Sequence, residues 1–186
     1  MNQEVQVEPL SGSHDVSDFD CGNESLSTWL KQHARQGDSK GSSRTHVLRL
    51  SPAQLSSVFG YGPEKAASLA VAGYFTLSAS TLDRSRLQPR HSRGQMQQMP
   101  VILLGKLAID HRLQGAGLGE LLVGEAIIRA AEASRLIGAA GIFVEAIDDG
   151  AAAFYRKCGF QECQDDATKL WLPMPAIYAR LSEMLR

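Results

Sequence analysis

Cysteine is scarce in this 186-residue chain, and the three present, Cys21, Cys158 and Cys163, match neither a C-x-x-C pair nor any zinc spacing. An odd, unpatterned set argues against a disulfide framework or a structural metal, and it fits a reducing compartment. The histidines show no metal spacing either, so no metal is expected. No apolar run approaches the roughly 18 residues needed to cross a bilayer. The opening MNQEVQVEPL carries two glutamates and lacks the cationic start and apolar stretch of a secretory signal. A cytoplasmic protein with no membrane association is expected. Internal repeats and low-complexity tracts are also missing.

Lysine and arginine are absent from the first thirty residues, which hold six acids, a net −6. Residues 31–93 reverse this with ten bases against three acids, a net +7, and residues 94–186 hold nine bases and eleven acids, a net −2. The total of −1 therefore hides a segment able to form a basic face for a polyanion. Its bases fall in two groups: Lys31, Arg35, Lys40 and Arg44, then Arg84, Arg86, Arg90 and Arg93 in RSRLQPRHSRGQMQQM, a stretch without acids that reads as a basic loop.

The length suits one domain, residues 1–186, with a sizeable core, and 44% hydrophobic with 21% charged residues makes the class ordinary and globular. Residues 24–35 place Leu26, Trp29, Leu30, His33 and Ala34 on one helical stripe behind an Asn23 N-cap. Segments 45–50 and 69–80 read as strands, with 51–68 as a loop or irregular insertion between them. VILLGKLAI at 101–109 reads as a strand buried on both faces. A helix follows from Leu118 to about Leu136 with Leu121, Leu122, Ala126 and Ile128 inward, then a strand at 141–147. AAAFYRKCGF reads as a short helix ended by Gly159 in the left-handed region, and KLWLP as the last strand, with Pro173 and Pro175 against its continuation.

The glycine-rich turn after the buried strand, LAIDHRLQGAGLGE, suggests a phosphate site, since glycines allow close backbone approach and a helix N-terminus attracts anions. A dinucleotide fingerprint starting at Gly115 would need glycine where Glu120 stands, and no G-K-[ST] follows for a Walker loop. The run Gln114, Gly115, Ala116, Gly117, Leu118, Gly119 instead resembles the Gln-x-x-Gly-x-Gly acetyl-CoA pyrophosphate loop of the GNAT superfamily of N-acetyltransferases. AAAFYRKCGF, about forty residues on, resembles that superfamily's FY-x-x-x-GF segment. FDCGNESLSTWL, GYFTLSAS, VILLGKLAID and LWLPM together resemble one branch, the toxins of type II toxin–antitoxin systems that acetylate the α-amino group of aminoacyl-tRNA and block translation. The resemblance spans about residues 10–175.

This resemblance implies the GNAT fold, an α/β (mixed α+β) architecture with a central, mostly antiparallel twisted sheet of six to seven strands flanked by helices, whose splayed central strands hold acetyl-CoA. It implies that backbone groups of Leu107, Ala108 and Ile109 pair with the pantetheine and polarise the acetyl carbonyl, while N–H groups of Gly115 to Gly119 hold the pyrophosphate. Tyr155 takes the place of the tyrosine general acid, and Phe154 is assigned to cofactor packing. The two groups of bases are then candidates for tRNA phosphates, which supply affinity with little sequence information. A ribbon-helix-helix antitoxin and a toxin homodimer are implied as partners. Two other readings stay open: a GNAT enzyme acting on a small amine or a protein N-terminus, which predicts salt-insensitive substrate binding, and a non-catalytic module that binds CoA or a protein.

Overall fold

The computed structural model describes residues 5–67, 69 and 71–184. Seven strands form one mixed sheet in the order β1-β2-β3-β4-β5-β7-β6. The strands are β1 (Gln6–Pro9), β2 (Arg44–Arg49), β3 (Gly73–Asp83), β4 (Gln98–Ile109), β5 (Gly141–Glu145), β6 (Gln161–Glu162) and β7 (Lys169–Pro173). The helices are α1 (Glu24–Gln32), α2 (Ala34–Lys40), α3 (Pro52–Phe59), α4 (Pro63–Ala67), α5 (Pro89–Ser92), α6 (Leu118–Ile137), α7 (Asp149–Lys157) and α8 (Met174–Met184). The chain divides into two compact units, one of residues 1–76 with 106–125 and one of residues 77–105 with 126–186, and their boundaries fall inside β3, β4 and α6.

In the first unit β1 pairs antiparallel with β2, from Gln6–Arg49 to Pro9–His46. Asn23 caps α1, its side chain accepting from the Leu26 N–H at 3.1 Å. Leu30 and Ala34 enter a core with Val16, Phe19, Val47, Val71, Tyr74 and Ala108, and Leu26 and Trp29 pack against it. The helix expected over 24–35 is in fact two, broken at His33, which is exposed rather than inward. The segment expected to be an irregular insertion is helical. Ser51 forms a capping box with Gln54, Pro52 opens α3, and Gly60 ends it at φ 68°. Ser68, part of that segment, lies outside the described residues. Of the strand expected at 69–80, Ala70 lies outside the described residues, and the strand described is Gly73–Asp83.

In the second unit β4 and β5 run parallel, pairing Ile102 with Ile142, Leu103 with Phe143 and Leu104 with Val144, and β4 continues five residues beyond the last of these. β5 pairs antiparallel with β7, which pairs with β6. Alternation puts Leu103, Phe143 and Trp171 in one row across three strands. That row joins Leu82, Leu87, Met99, Val101 and Cys163 in a second core. The basic stretch 84–99 is a 3-10 turn at Arg84–Arg86, the short helix α5 and the start of β4. On α6 the buried positions include Leu122, Val123, Ala126 and Ala130, whereas Ile128, expected inward, is 37% exposed because the stripe 122–126–130 turns it away. β7 is the last strand, and α8 follows it.

Candidate functional site

The first unit carries the glycine turn. Gly115 and Gly117 adopt φ +82° and +77°, and a Cβ at either would meet nothing within 4 Å. Glycine is therefore required by the backbone conformation and not by crowding, since a left-handed residue with a Cβ costs about 1–2 kcal/mol. α6 begins at Leu118, which is buried and anchors the helix start, while Ala116 is exposed and Gly119 half-buried. The first turn of a 20-residue helix leaves N–H groups and the positive dipole end facing this turn, a ready anion site. Ala108 and Ile109 are buried and Leu107 half-buried at the end of β4. Gln114 uses its side-chain amide inside the protein, donating to the Cys21 and Ile109 carbonyls at 3.0 Å each, which fixes where the turn leaves the strand.

A polar knot sits at the base of this turn. Asp110, fully buried, receives Arg112 Nε at 2.8 Å and Nη2 at 2.7 Å, together with the Arg112 N–H at 3.0 Å and the Asp20 N–H at 3.2 Å. Burial alone would raise the Asp110 carboxyl, but the Arg112 side chain and the two backbone donors outweigh it and hold it below its ordinary value. Arg112 is raised in turn, chiefly by its bonds to Asp110. Arg112 also donates to the Asp18 carbonyl at 3.0 Å, and Tyr61, from the segment between α3 and α4, donates its hydroxyl to the Arg112 carbonyl at 2.7 Å. His111 donates its N–H to the Asp20 carbonyl at 2.7 Å. The sequence reading does not reach Asp110, Arg112 or Tyr61. A D-x-R step before the glycines is the available signal, and it is too common to select alone.

The second unit carries Tyr155. Asp148 caps α7, accepting from the Ala151 N–H at 2.7 Å, and the helix buries Ala152 and Tyr155. The Tyr155 ring is 8% exposed, edge-on to Phe154 at 5.3 Å and to Phe160 at 5.6 Å. Burial, with a smaller push from the neighbouring Cys158, raises its phenol above the ordinary tyrosine value. The group is therefore a protonated donor at neutral pH. Phe154 is half-buried. Gly159 ends the segment at φ +97°, beside the Arg180 guanidinium, and that left-handed backbone is what calls for glycine there.

The predicted tRNA-facing bases divide between the units. Lys31, Lys40 and Arg93 are exposed, with no ion pair among the described residues. Arg35 donates to the His14 carbonyl and Arg44 to the Asp38 carbonyl. Arg84 donates to the Gln95 carbonyl, and Arg90 Nε to His91 Nε2. Arg86 pairs with Asp165 at 3.4 Å. Among the described residues no three or more His, Cys, Asp or Glu side chains gather as a metal site, and no helix is long and apolar enough to cross a membrane.

Known proteins share both the glycine turn's segment and the wider chain. Residues 78–162 match the acetyltransferase (GNAT) domain. The chain is 31% identical, over 89% of its length and 89% of the relative's, to a tRNA-acetylating toxin of Mycobacterium tuberculosis. It is also similar to AtaT complexed with acetyl-methionyl-tRNAfMet, at TM-score 0.80 and 29% identity over 96% of this chain and 99% of that one. A tyrosine-to-phenylalanine mutant of the AtaT toxin bound to the C-terminus of the antitoxin AtaR and acetyl-CoA aligns at TM-score 0.73 and 27% identity, over 96% and 99%.

Proposed function

This chain belongs to the GNAT acetyltransferases, among the tRNA-acetylating toxins, and from that premise we propose that it acetylates the α-amino group of aminoacyl-tRNA and so blocks translation. The likeness to the mycobacterial toxin carries this reading, because it runs along nearly the whole chain and not the acetyltransferase segment alone. When bound, acetyl-CoA supplies the acetyl group as an activated thioester. The Gly115–Gly119 turn fits its pyrophosphate, with two positive φ angles, open space in place of side chains and the positive end of the α6 dipole behind it. Backbone groups of Leu107, Ala108 and Ile109, on the stretch of β4 beyond its last pair with β5, serve the pantetheine and polarise the acetyl carbonyl. Phe154 packs against the same group.

As the amine forms the C–N bond and the C–S bond breaks, Tyr155 gives its Oη proton to the departing sulfur, and the proton shed by the amine restores the phenol by way of solvent; burial keeps the Oη proton in place until negative charge develops beside it. The attacking α-amino group titrates near 7.7–8.0 in model peptides, so a neutral fraction exists at physiological pH without a strong base. The bases at 31–44 and 84–93 hold tRNA phosphates. The partner is an antitoxin of the ribbon-helix-helix class, and the working form is a cytoplasmic homodimer of single-domain chains. The antitoxin part draws support from the AtaT–AtaR complex.

The test is transfer of radiolabelled acetyl from acetyl-CoA to a pool of charged tRNAs, by wild type and by Tyr155→Phe, at two salt concentrations. Label on aminoacyl-tRNA that falls with Tyr155→Phe and with added salt supports the reading. No label on any charged tRNA, with acetyl-CoA still bound, overturns it and favours a small amine or a protein N-terminus.

A further inference from the structure

The second unit contains a cavity of about 450 Å³ lined by residues of β3, β4 and β5 together with Arg86. That is within the usual 300–1,000 Å³ of a small-molecule site. Its lining is mainly polar, with Asp83, Arg86 and Glu145 the charged groups, and Leu82, Leu103 and Phe143 supply its apolar part. The two carboxylates differ in their hydrogen-bond partners. Asp83 is held rigidly, accepting from the Ser85 N–H at 2.8 Å and from the side-chain amides of Gln97 and Gln98 at 2.8–3.0 Å. Those bonds, led by Ser85, keep it well below the usual carboxylate range, at about 2, so it is a permanent charge. Arg86 is turned to Asp165. Glu145 is exposed, ends β5 one residue past its last pair with β4, and its carboxylate has no partner among the described residues.

We propose that this cavity is the aminoacyl subsite, with Glu145 accepting a hydrogen bond from the α-amino group and Leu103 and Phe143 receiving the amino-acid side chain. The proposal rests on the aminoacyl-tRNA reading above and deepens it. The charge pattern supports it: an aminoacyl-tRNA presents one amine on an otherwise polyanionic end. Here two carboxylates line the cavity, while the adjoining segment places exposed Arg84, Arg90 and Arg93 outside its walls. Phosphates are repelled from the cavity and attracted beside it, which orients the end of the substrate with its amine inward. Apolar contacts such as those of Leu103 and Phe143 discriminate poorly between side chains that differ by one methylene, about 10- to 200-fold, so selection among amino acids here is by size.

The experiment compares charged with deacylated tRNA in equilibrium binding without acetyl-CoA, for wild type, Glu145→Gln and Leu103→Phe, and then measures acetyl transfer to a panel of aminoacyl-tRNAs. Wild type is expected to bind charged tRNA more tightly than deacylated tRNA. Glu145→Gln should lose about 10- to 100-fold of that preference, the worth of a hydrogen bond to a charged group, with deacylated tRNA bound as before. Leu103→Phe should shift transfer toward smaller aminoacyl groups. Unchanged charged-over-deacylated preference in Glu145→Gln, or an unchanged acceptor profile in Leu103→Phe, overturns the assignment while leaving the acetyl transfer of wild type intact. If wild type transfers no label to any charged tRNA, the proposed function itself falls, and the subsite with it.

Discussion

Tyr155 and Asp110 are both buried, and opposite forces act on their protons. The Tyr155 phenol is raised above its ordinary value near 10 by burial, so the folded protein favours the protonated form. Stability from this group is fully present below pH 10 and is lost as the pH rises beyond it toward the folded value. Tyr74, fully buried with its hydroxyl donating to the Leu26 carbonyl at 2.8 Å, is raised for the same reason and adds to the slope. Thermal melts from pH 8 to 11 should therefore fall from about pH 10, and Tyr155→Phe should flatten that fall while lowering transfer by roughly 10²- to 10⁴-fold, the usual worth of a positioned general acid. A melt as steep in Tyr155→Phe as in wild type would contradict the burial argument. Asp110 behaves inversely. Its carboxyl is depressed, so its contribution is present above about pH 4 and is lost as the pH falls through the folded value. Asp110→Ala leaves the Arg112 guanidinium without its main partner and should destabilise the fold by about 3–5 kcal/mol in urea unfolding. A loss below 1 kcal/mol, the range of a surface pair, would show that the knot does not hold the turn.

At the scale of elements, β4, the glycine turn and α6 form one strand–turn–helix unit whose glycines have different reasons to be there. Gly117 lies at φ +77° in open space, so Gly117→Ala carries only a backbone cost of about 1–2 kcal/mol, felt by the turn proposed to hold the pyrophosphate. Gly124 lies inside α6 with a right-handed backbone, and a methyl added there meets nothing within 4 Å, so Gly124→Ala should stabilise by about 0.5–1 kcal/mol. Calorimetric melts with acetyl-CoA titrations separate the two: Gly117→Ala should raise the Kd for acetyl-CoA, and Gly124→Ala should raise Tm with Kd unchanged. Equal effects on Kd would remove the special role of the turn. Much of this unit is legible in the sequence, because an apolar strand, a run of glycines and a helical period follow one another without overlap. The α3–α4 segment is less legible: its Pro and Gly punctuation suggests a loop, yet Ser51, Pro52 and Gln54 form a helix start and Gly60 a helix end. α8 is hidden by Pro173 and Pro175, which stop a strand and equally open a helix. Ile128 misleads because a helix this apolar carries more hydrophobic residues than its buried stripe can take.

For the whole molecule, the slightly negative net charge is a poor guide to binding a polyanion, because charge is segregated along the chain, −6 over residues 1–30 against +7 over residues 31–93. In the acid-rich first thirty residues Glu8 pairs with His14 at 3.0 Å and Arg49 at 3.2 Å, and its carboxyl is lowered chiefly by the His14 bond. Asp15 accepts from Ser17, and Asp20 accepts from the Gly22 N–H at 2.8 Å. Of the eight bases assigned to tRNA, Lys31, Lys40 and Arg93 have no ion pair among the described residues, whereas Arg86 already faces Asp165. Arg35, Arg44 and Arg84 give only part of a five-donor guanidinium to a carbonyl and keep their charge. Binding should therefore follow the released counterions, with log K falling against log salt by about 0.7–0.9 per phosphate contact. Lys40→Ala and Arg93→Ala should each reduce that slope by about 1, and Arg86→Ala by distinctly less, since removing it also frees an opposing carboxylate. Filter binding of deacylated tRNA between about 50 and 200 mM salt, the range over which such contacts lose most affinity, reads all three slopes directly. If Arg86→Ala costs as much as Arg93→Ala, the Asp165 pair opens to admit a phosphate and the contact is made by an ion-pair exchange. If none of the three changes the slope, the polyanion is held by other bases, and the segment 31–93 owes its +7 to solvated charge alone.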